Sequence, residues 1–326
     1  MKYRLHKVLL FFVPLLVVML ILTGCAPSIL VPVTRPAEVN LRGLNRIAIG
    51  EITGTGGQEI AGVLTSKLFE SANFEVLDRA NLDRILKEQS VSLSGAMDEE
   101  TVAKIGKLVG AAALIFGNVA THSYQLKKWR EDSWTSKSGT RYQAHWKTGT
   151  ATVKLSFQVV SLTTGKILAA KTITKQAERS TRENNRWPED PDKESAMNEA
   201  ADGAVTGFVK MIAPYTEHVK VKFARKDSDL PELERGVNFA RAGRWSDAVT
   251  QFKAATEKDP AHEGAWWNLG LAYEYSFVFD KAEEAFNKAN MIKTSPKYLE
   301  EINNVKRMAA ERKKLKEQGA IAEGGK

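Results

Sequence analysis

Thr152-Val153-Lys154-Leu155-Ser156-Phe157-Gln158-Val159 alternates polar and apolar side chains without a break. At a strand's period of two, Val153, Leu155, Phe157 and Val159 face one way and the polar residues the other, which predicts a strand with one buried face. Thr163-Thr164-Gly165 then turns the chain into a partner strand from Lys166 to Thr174. Working outward, Leu44 to Ile52, Phe74 to Leu77, Ala113 to Gly117 and Glu217 to Phe223 read as further strands. Helical spacing marks Gln58 to Ser71, where Ile60, Val63, Leu64, Leu68 and Phe69 form a stripe, then Asn81 to Gln89 with Leu82, Ile85 and Leu86 inward. Asp98-Glu99-Glu100 opens another helix, with acids at the positive end of its dipole, and Glu194 to Ile212 is a long one. Hairpins beside βα units predict an α+β fold rather than a purely parallel sheet.

At the other end of the chain, Cys25 is the only cysteine in 326 residues, which excludes an intrachain disulfide. Lys2, Arg4 and Lys7 precede the apolar run from Val8 to Leu22, the order of a secretory signal and too short a run to span a bilayer. Leu22-Thr23-Gly24-Cys25 resembles the bacterial lipobox. The resemblance implies a signal peptide over residues 1–24, a lipidated Cys25, and anchoring by acyl chains at ~0.8 kcal/mol per buried methylene. Ala26 stands where that family places Asp to keep a lipoprotein in the inner membrane, which implies an outer-membrane address facing the periplasm. Pro27, Pro32 and Pro36 among small and polar residues make residues 25–43 an expected flexible tether.

Without residues 1–24 the chain carries 44 basic and 39 acidic residues, a dispersed +5 that does not read as a nucleic-acid surface. Catalytic signals are missing as well. His122, His145, His218 and His262 fit no metal-binding spacing, and with one lipidated cysteine there is no thiolate site. Gly54-Thr55-Gly56-Gly57 sits where a phosphate cradle would sit, yet Glu59 follows and no Gly-Lys-Ser/Thr does, so a tight turn is expected. No Gly-x-Ser-x-Gly elbow is present. The reading is of a protein that is not an enzyme and needs no cofactor or metal.

Beyond residue 228 the chain repeats itself. Gly236, Phe239, Ala248, Phe252 and Ala255 recur 34 residues later as Gly270, Tyr273, Ala282, Phe286 and Ala289. Trp266-Trp267-Asn268-Leu269-Gly270-Leu271-Ala272-Tyr273 also carries the Trp-x-x-Leu-Gly-x-x-Tyr string, and Asp280 with Glu283 suggests a capping box. Residues 229–296 therefore resemble two tetratricopeptide repeats, with a capping helix and tail over residues 297–326. In that family the first helix of each repeat lines a groove. Carried over by position, the resemblance implies partner binding by Val237, Arg241, Trp267, Leu271, Glu274 and Tyr275.

Residues 44–223 resemble the CsgG-type domain of the curli-secretion-channel family. The match lies in Arg46-Ile47-Ala48-Ile49 with its glycine turn, Phe74 to Leu82 running into Ile85 to Gln89, Ile105 to Ala111 leading to Leu114 to Gly117, and Val159 to Leu168. It implies a periplasmic α+β domain able to assemble with copies of itself, on a lipoprotein that acts in assembly or export of envelope or extracellular, curli-like components. Two alternatives remain: a ring-forming secretion channel, and a lipoprotein activator of cell-wall synthesis. A channel needs strands of about 9 to 11 residues with an apolar face. Residues 121–149 offer charged side chains on both faces, and Lys175 to Ser195, crowded with Arg, Glu and Asp, reads as a surface loop. Within the first insert Trp129, Trp134, Tyr142 and Trp146 interleave with lysines and arginines. That mixture fits either a self-packed hairpin or a contact surface for a partner or for headgroups.

Overall fold

The computed structural model describes residues 26–88, 104–107, 110 and 112–321. Cys25, the signal peptide and the helix start at Asp98 lie outside the described residues. In chain order the elements are β1 (Ser28–Arg35), β2 (Arg46–Gly54), α1 (Gly57–Glu70), β3 (Glu75–Leu77), α2 (Arg79–Glu88), β4 (Ala113–Arg130), β5 (Trp134–Thr135), β6 (Arg141–Tyr142), β7 (Ala144–Ser161), β8 (Ile167–Asn184), α3 (Lys193–Ile212) and β9 (Tyr215–Lys222). Helices α4 (Pro231–Arg241), α5 (Trp245–Lys258), α6 (Glu263–Tyr275), α7 (Phe279–Ile292) and α8 (Pro296–Glu317) follow. They fall into two compact units, one comprising residues 36–215 and 315–321 and the other residues 26–35 and 216–314.

In the first unit a mixed sheet runs in the order β3-β2-β4-β7-β8, with β2 parallel to β3 and β4, and β4, β7 and β8 antiparallel. The alternation that opened the reading sets its core. Val153, Leu155, Phe157 and Val159 are buried on the face covered by α3, where Phe208 stacks on Phe157 at 4.4 Å. Asp192 caps α3 by accepting from Ser195 N at 2.9 Å. Helix α1 adds Ile60, Leu64 and Leu68 to the same core. Phe69, expected in that stripe, is 77% exposed, because it lies one position beyond the inward face. On α2, Leu82 is buried, whereas the side chains of Ile85 and Leu86 lie outside the described set. The glycine run is a tight turn: Gly54 and Gly56 have φ of 91° and 82°, and a Cβ on Gly57 would stand 2.1 Å from Ile52 O.

Two expectations fail here. Lys175 to Ser195 is a loop only over residues 185–192, since β8 continues to Asn184 in register with β7, Lys175 opposite Val153 and Asn184 opposite Ala144. Its charges alternate with Ala177 and are tolerated because the strand edge is wet. The strand from Glu217 also does not close this unit. As β9 it pairs with β1 in a separate two-stranded sheet.

That sheet belongs to the second unit and overturns the tether. Val31 and Val33 point inward on β1 at period two and join Val221 and Phe223 in the core of the helical hairpins. Pro32 takes an outward position, which a strand without a second neighbour allows. Arg35, buried, is held by Glu217 Oε1 at 2.8 Å and Glu311 Oε2 at 2.6 Å.

Each of the two helix pairs α4–α5 and α6–α7 closes on a glycine. A Cβ on Gly236 would meet the Phe252 ring at 2.4 Å, and one on Gly270 the Phe286 ring at 2.5 Å. Both rings are fully buried and cannot swing away. Alanine normally gains about 1 kcal/mol over glycine in a helix, while overpacking costs about 1–3 kcal/mol. Gly236→Ala and Gly270→Ala should therefore each lower stability in urea melts, by up to about 2 kcal/mol. A stabilised variant would show that the rings yield. The expected capping box at Asp280 is absent: Val278 is the N-cap of α7 and makes no side-chain cap bond.

Candidate functional site

Past the helices, β4, β7 and β8 run on together, and their far end gathers the aromatic residues of the insert. Trp129 and Trp146 are directly opposed on β4 and β7, and Arg182 opposes Trp146 on β8. The two indoles stack at 5.2 Å with planes 1° apart. The Arg182 guanidinium lies 5.6 Å from Trp146 and equally from Trp134, which stacks on Tyr142 at 5.8 Å across β5 and β6. All four insert residues thus join one column with a cation in its middle. Aromatic pairs of this kind contribute about 0.5–1.5 kcal/mol, and exposed cation–π contacts about 0.5–1 kcal/mol. The column is also open to solvent, with Trp129 39% and Trp134 38% exposed. Trp146 Nε1 donates to Glu131 Oε1 at 3.0 Å.

Sequence reasoning missed a second cluster on the opposite face. Trp187, 39% exposed, meets His145 edge-on at 4.8 Å and carries Arg130 over its ring at 5.1 Å. It was hidden because Trp187 lies in the loop after β8, and only the register pairing Arg130 with His145 brings these partners to it. Nearby, the hydrogen bond from Lys147 Nζ, 2.6 Å long, holds Asp190 below the usual carboxylate range. Arg186 does the same to Glu183 through two contacts of 3.1 Å.

The repeat residues fare differently. Val237 and Arg241 line a small cleft of about 70 Å³ on α4 with Pro27, Ala224, Lys226 and Leu233. Trp267, Leu271, Glu274 and Tyr275 do not line it; all four are buried. Trp267 packs between Phe286 and Tyr298 and donates to Lys222 O at 2.9 Å, and Tyr275 stacks on Trp245 at 5.1 Å. Strand β9 and helix α8 occupy the space where a groove would open. Among the described residues no group of three or more His, Cys, Asp or Glu is placed to hold a metal ion, and no helix is long and apolar enough to cross a membrane.

A mixed five-stranded sheet with helices on its buried face and three strands prolonged into an aromatic, basic end defines an α+β domain. The family profile described as "Curli production assembly/transport component CsgG" matches residues 43–215. The chain belongs to the CsgG family. Among solved structures it is similar to the PelC dodecamer from Paraburkholderia phytofirmans, at 13% identity and a TM-score of 0.31 over 57% of this chain and 99% of that one. It is also similar to lipoprotein GNA1162 from Neisseria meningitidis, at 13% identity and 0.29 over 51% and 98%. The LpoB C-terminal domain from Salmonella enterica is a third likeness, at 11% identity and 0.27 over 41% and 84%. No curated protein matches the chain.

Proposed function

We propose that this is a non-enzymatic lipoprotein of the outer membrane, anchored through Cys25 and facing the periplasm, that acts in the assembly or export of envelope or extracellular, curli-like components. Its family domain assembles with further copies of itself. Its helix pairs, read as two tetratricopeptide repeats, recruit a protein or peptide partner. The observation that carries the reading is the family match over residues 43–215. Self-assembly is supported by two open strand edges. Beyond residue 119 β4 has β7 as its neighbour and β8 has β7 alone among the described residues. The cleft at Val237 and Arg241 offers a surface of the repeats to a partner.

Metabolic labelling with a fatty-acid probe tests the anchor. Wild-type protein should carry label in the outer-membrane fraction, and Cys25→Ser should carry none and accumulate as precursor. Label retained by Cys25→Ser would end the lipoprotein reading.

A channel is disfavoured by the prolonged strands themselves. Lys127, Lys128 and Arg130 on β4 and Arg179 and Arg182 on β8 fall on both faces, at a cost of ~2–4 kcal/mol for each Lys or Arg set against lipid at the midplane. Purified protein should give no conductance in planar bilayers. Stable channels that vanish when residues 121–149 are deleted would restore the rival.

A further inference from the structure

Between the row Phe116–Gln158–Ala170 and the row Trp129–Trp146–Arg182, the face of β4, β7 and β8 turned away from α3 has a single chemistry. Five rows run across the three strands, from Asn118–Ser156–Thr172 to Lys127–Thr148–Ser180. Their fifteen positions hold nine hydroxyls, three amides, two lysines and one glutamate, with no aliphatic side chain and none buried. Hydrogen bonds link the hydroxyls sideways: Ser156 to Thr172 at 2.8 Å, Gln176 to Thr152 at 3.2 Å and Thr148 to Ser180 at 3.0 Å. The next row is Trp129–Trp146–Arg182, the base of the aromatic column. At ~3.4 Å per residue and ~4.8 Å between strands, this strip is about 34 Å long and about 10 Å wide.

We propose that this strip binds an extended acidic polysaccharide. A long, narrow, flat surface suits a polymer and not a compact ligand, which would need a concave pocket. A folded protein partner is disfavoured because interfaces have apolar centres, and here the apolar side chains stand at the ends, with none across the five rows. A peptide in strand form pairs with an edge and not with a face. A lipid surface requires a continuous apolar face, which the five hydroxyl-rich rows do not offer. A sugar chain presents hydroxyls that donate and accept, as these side chains do, and its C–H faces pack on indole. Lys127, Lys154 and Arg182 against the single Glu178 leave the strip positive, which selects an acidic chain. This inference goes beyond the proposed function and does not rest on it, since neither the anchor nor the repeats enter.

The test uses the chain from Ala26 to Lys326, which contains both compact units, and follows tryptophan fluorescence and calorimetry with alginate oligomers, with dextran as the neutral control. Alginate should bind, more weakly as salt rises, and dextran at least tenfold more weakly. The Lys127→Gln/Lys154→Gln double variant should keep its melting temperature and lose at least tenfold in affinity. Trp146→Ala should lose a similar factor; should it fail to fold, the lysine variant decides. Equal binding of dextran, or undiminished alginate binding by the lysine variant, overturns the proposal. So does binding to phosphatidylglycerol vesicles in place of alginate with the same lysine dependence, or a dimer that the lysine variant abolishes.

Discussion

Trp267→Ala should destabilise the helical unit by about 3–5 kcal/mol, a large share of the roughly 5–15 kcal/mol that holds a typical domain folded. The indole is buried between Phe286, 5.2 Å away, and Tyr298, 5.6 Å away, with Lys297 Nζ over its ring at 4.8 Å. Truncation leaves a cavity among fully buried rings and strips the partner from Lys222 O at the end of β9. Trp267→Phe separates the two effects, keeping most of the packing while losing the hydrogen bond, and should cost far less. The measurement is urea unfolding of the chain from Ala26. A fragment beginning at Asp229 would lack β1 and β9, and with them Val31, Val33, Val221 and Phe223 of the core. A Trp267→Ala protein that unfolds like wild type would return this residue to the groove read from the repeat pattern.

That pattern shows where sequence reading succeeds and where it stops. Periodicity reports which residues share a face, so the alternation in residues 152–159 located a central strand, and the 34-residue repeat located two helix pairs that each close on a glycine. Periodicity does not report what lies opposite a face. Trp267, Leu271, Glu274 and Tyr275 do share a side of α6, yet β9 and α8 fill the space that an open groove would need. The tether error has the same origin. Val31 and Val33 alternate as a strand does, but prolines dominated the reading, and their partner strand lies nearly 190 residues on. The aromatic insert was legible as a composition only. That Trp129, Trp146 and Arg182 form one row depends on the register of three strands, and Arg182 and Trp187 sat in a stretch whose charge disguised it. Charged strands are hard to recognise when neither face is dry.

The buried acid on α6 gives the other large effect. Glu274 has no exposed surface; its Oε1 accepts from Asn304 Nδ2 at 2.7 Å, and its Oε2 has no hydrogen-bond partner among the described residues. Burial first, and the neighbouring Glu301 carboxylate second, push its pKa up to about 9 from an ordinary 4.5, against a smaller opposing pull from Asn304 and Arg35. Between those two values the folded chain holds a proton that the unfolded chain releases. The folded state is therefore favoured most below about 4.5 and loses about 1.4 kcal/mol per pH unit as pH rises towards 9, a loss of about 3 kcal/mol by pH 7. Glu274→Gln removes the titration, because the amide stays neutral and still offers Asn304 an acceptor. Its stability should match wild type near pH 4.5 and exceed it by about 3 kcal/mol at pH 7, with the gap widening at pH 8. Urea melts at pH 5, 7 and 8 read this directly. Parallel pH curves for the two proteins would mean that Glu274 is ionised in the fold and that α8 opens to hydrate it; a gap that widens with pH means that the helix pair is closed over a neutral acid.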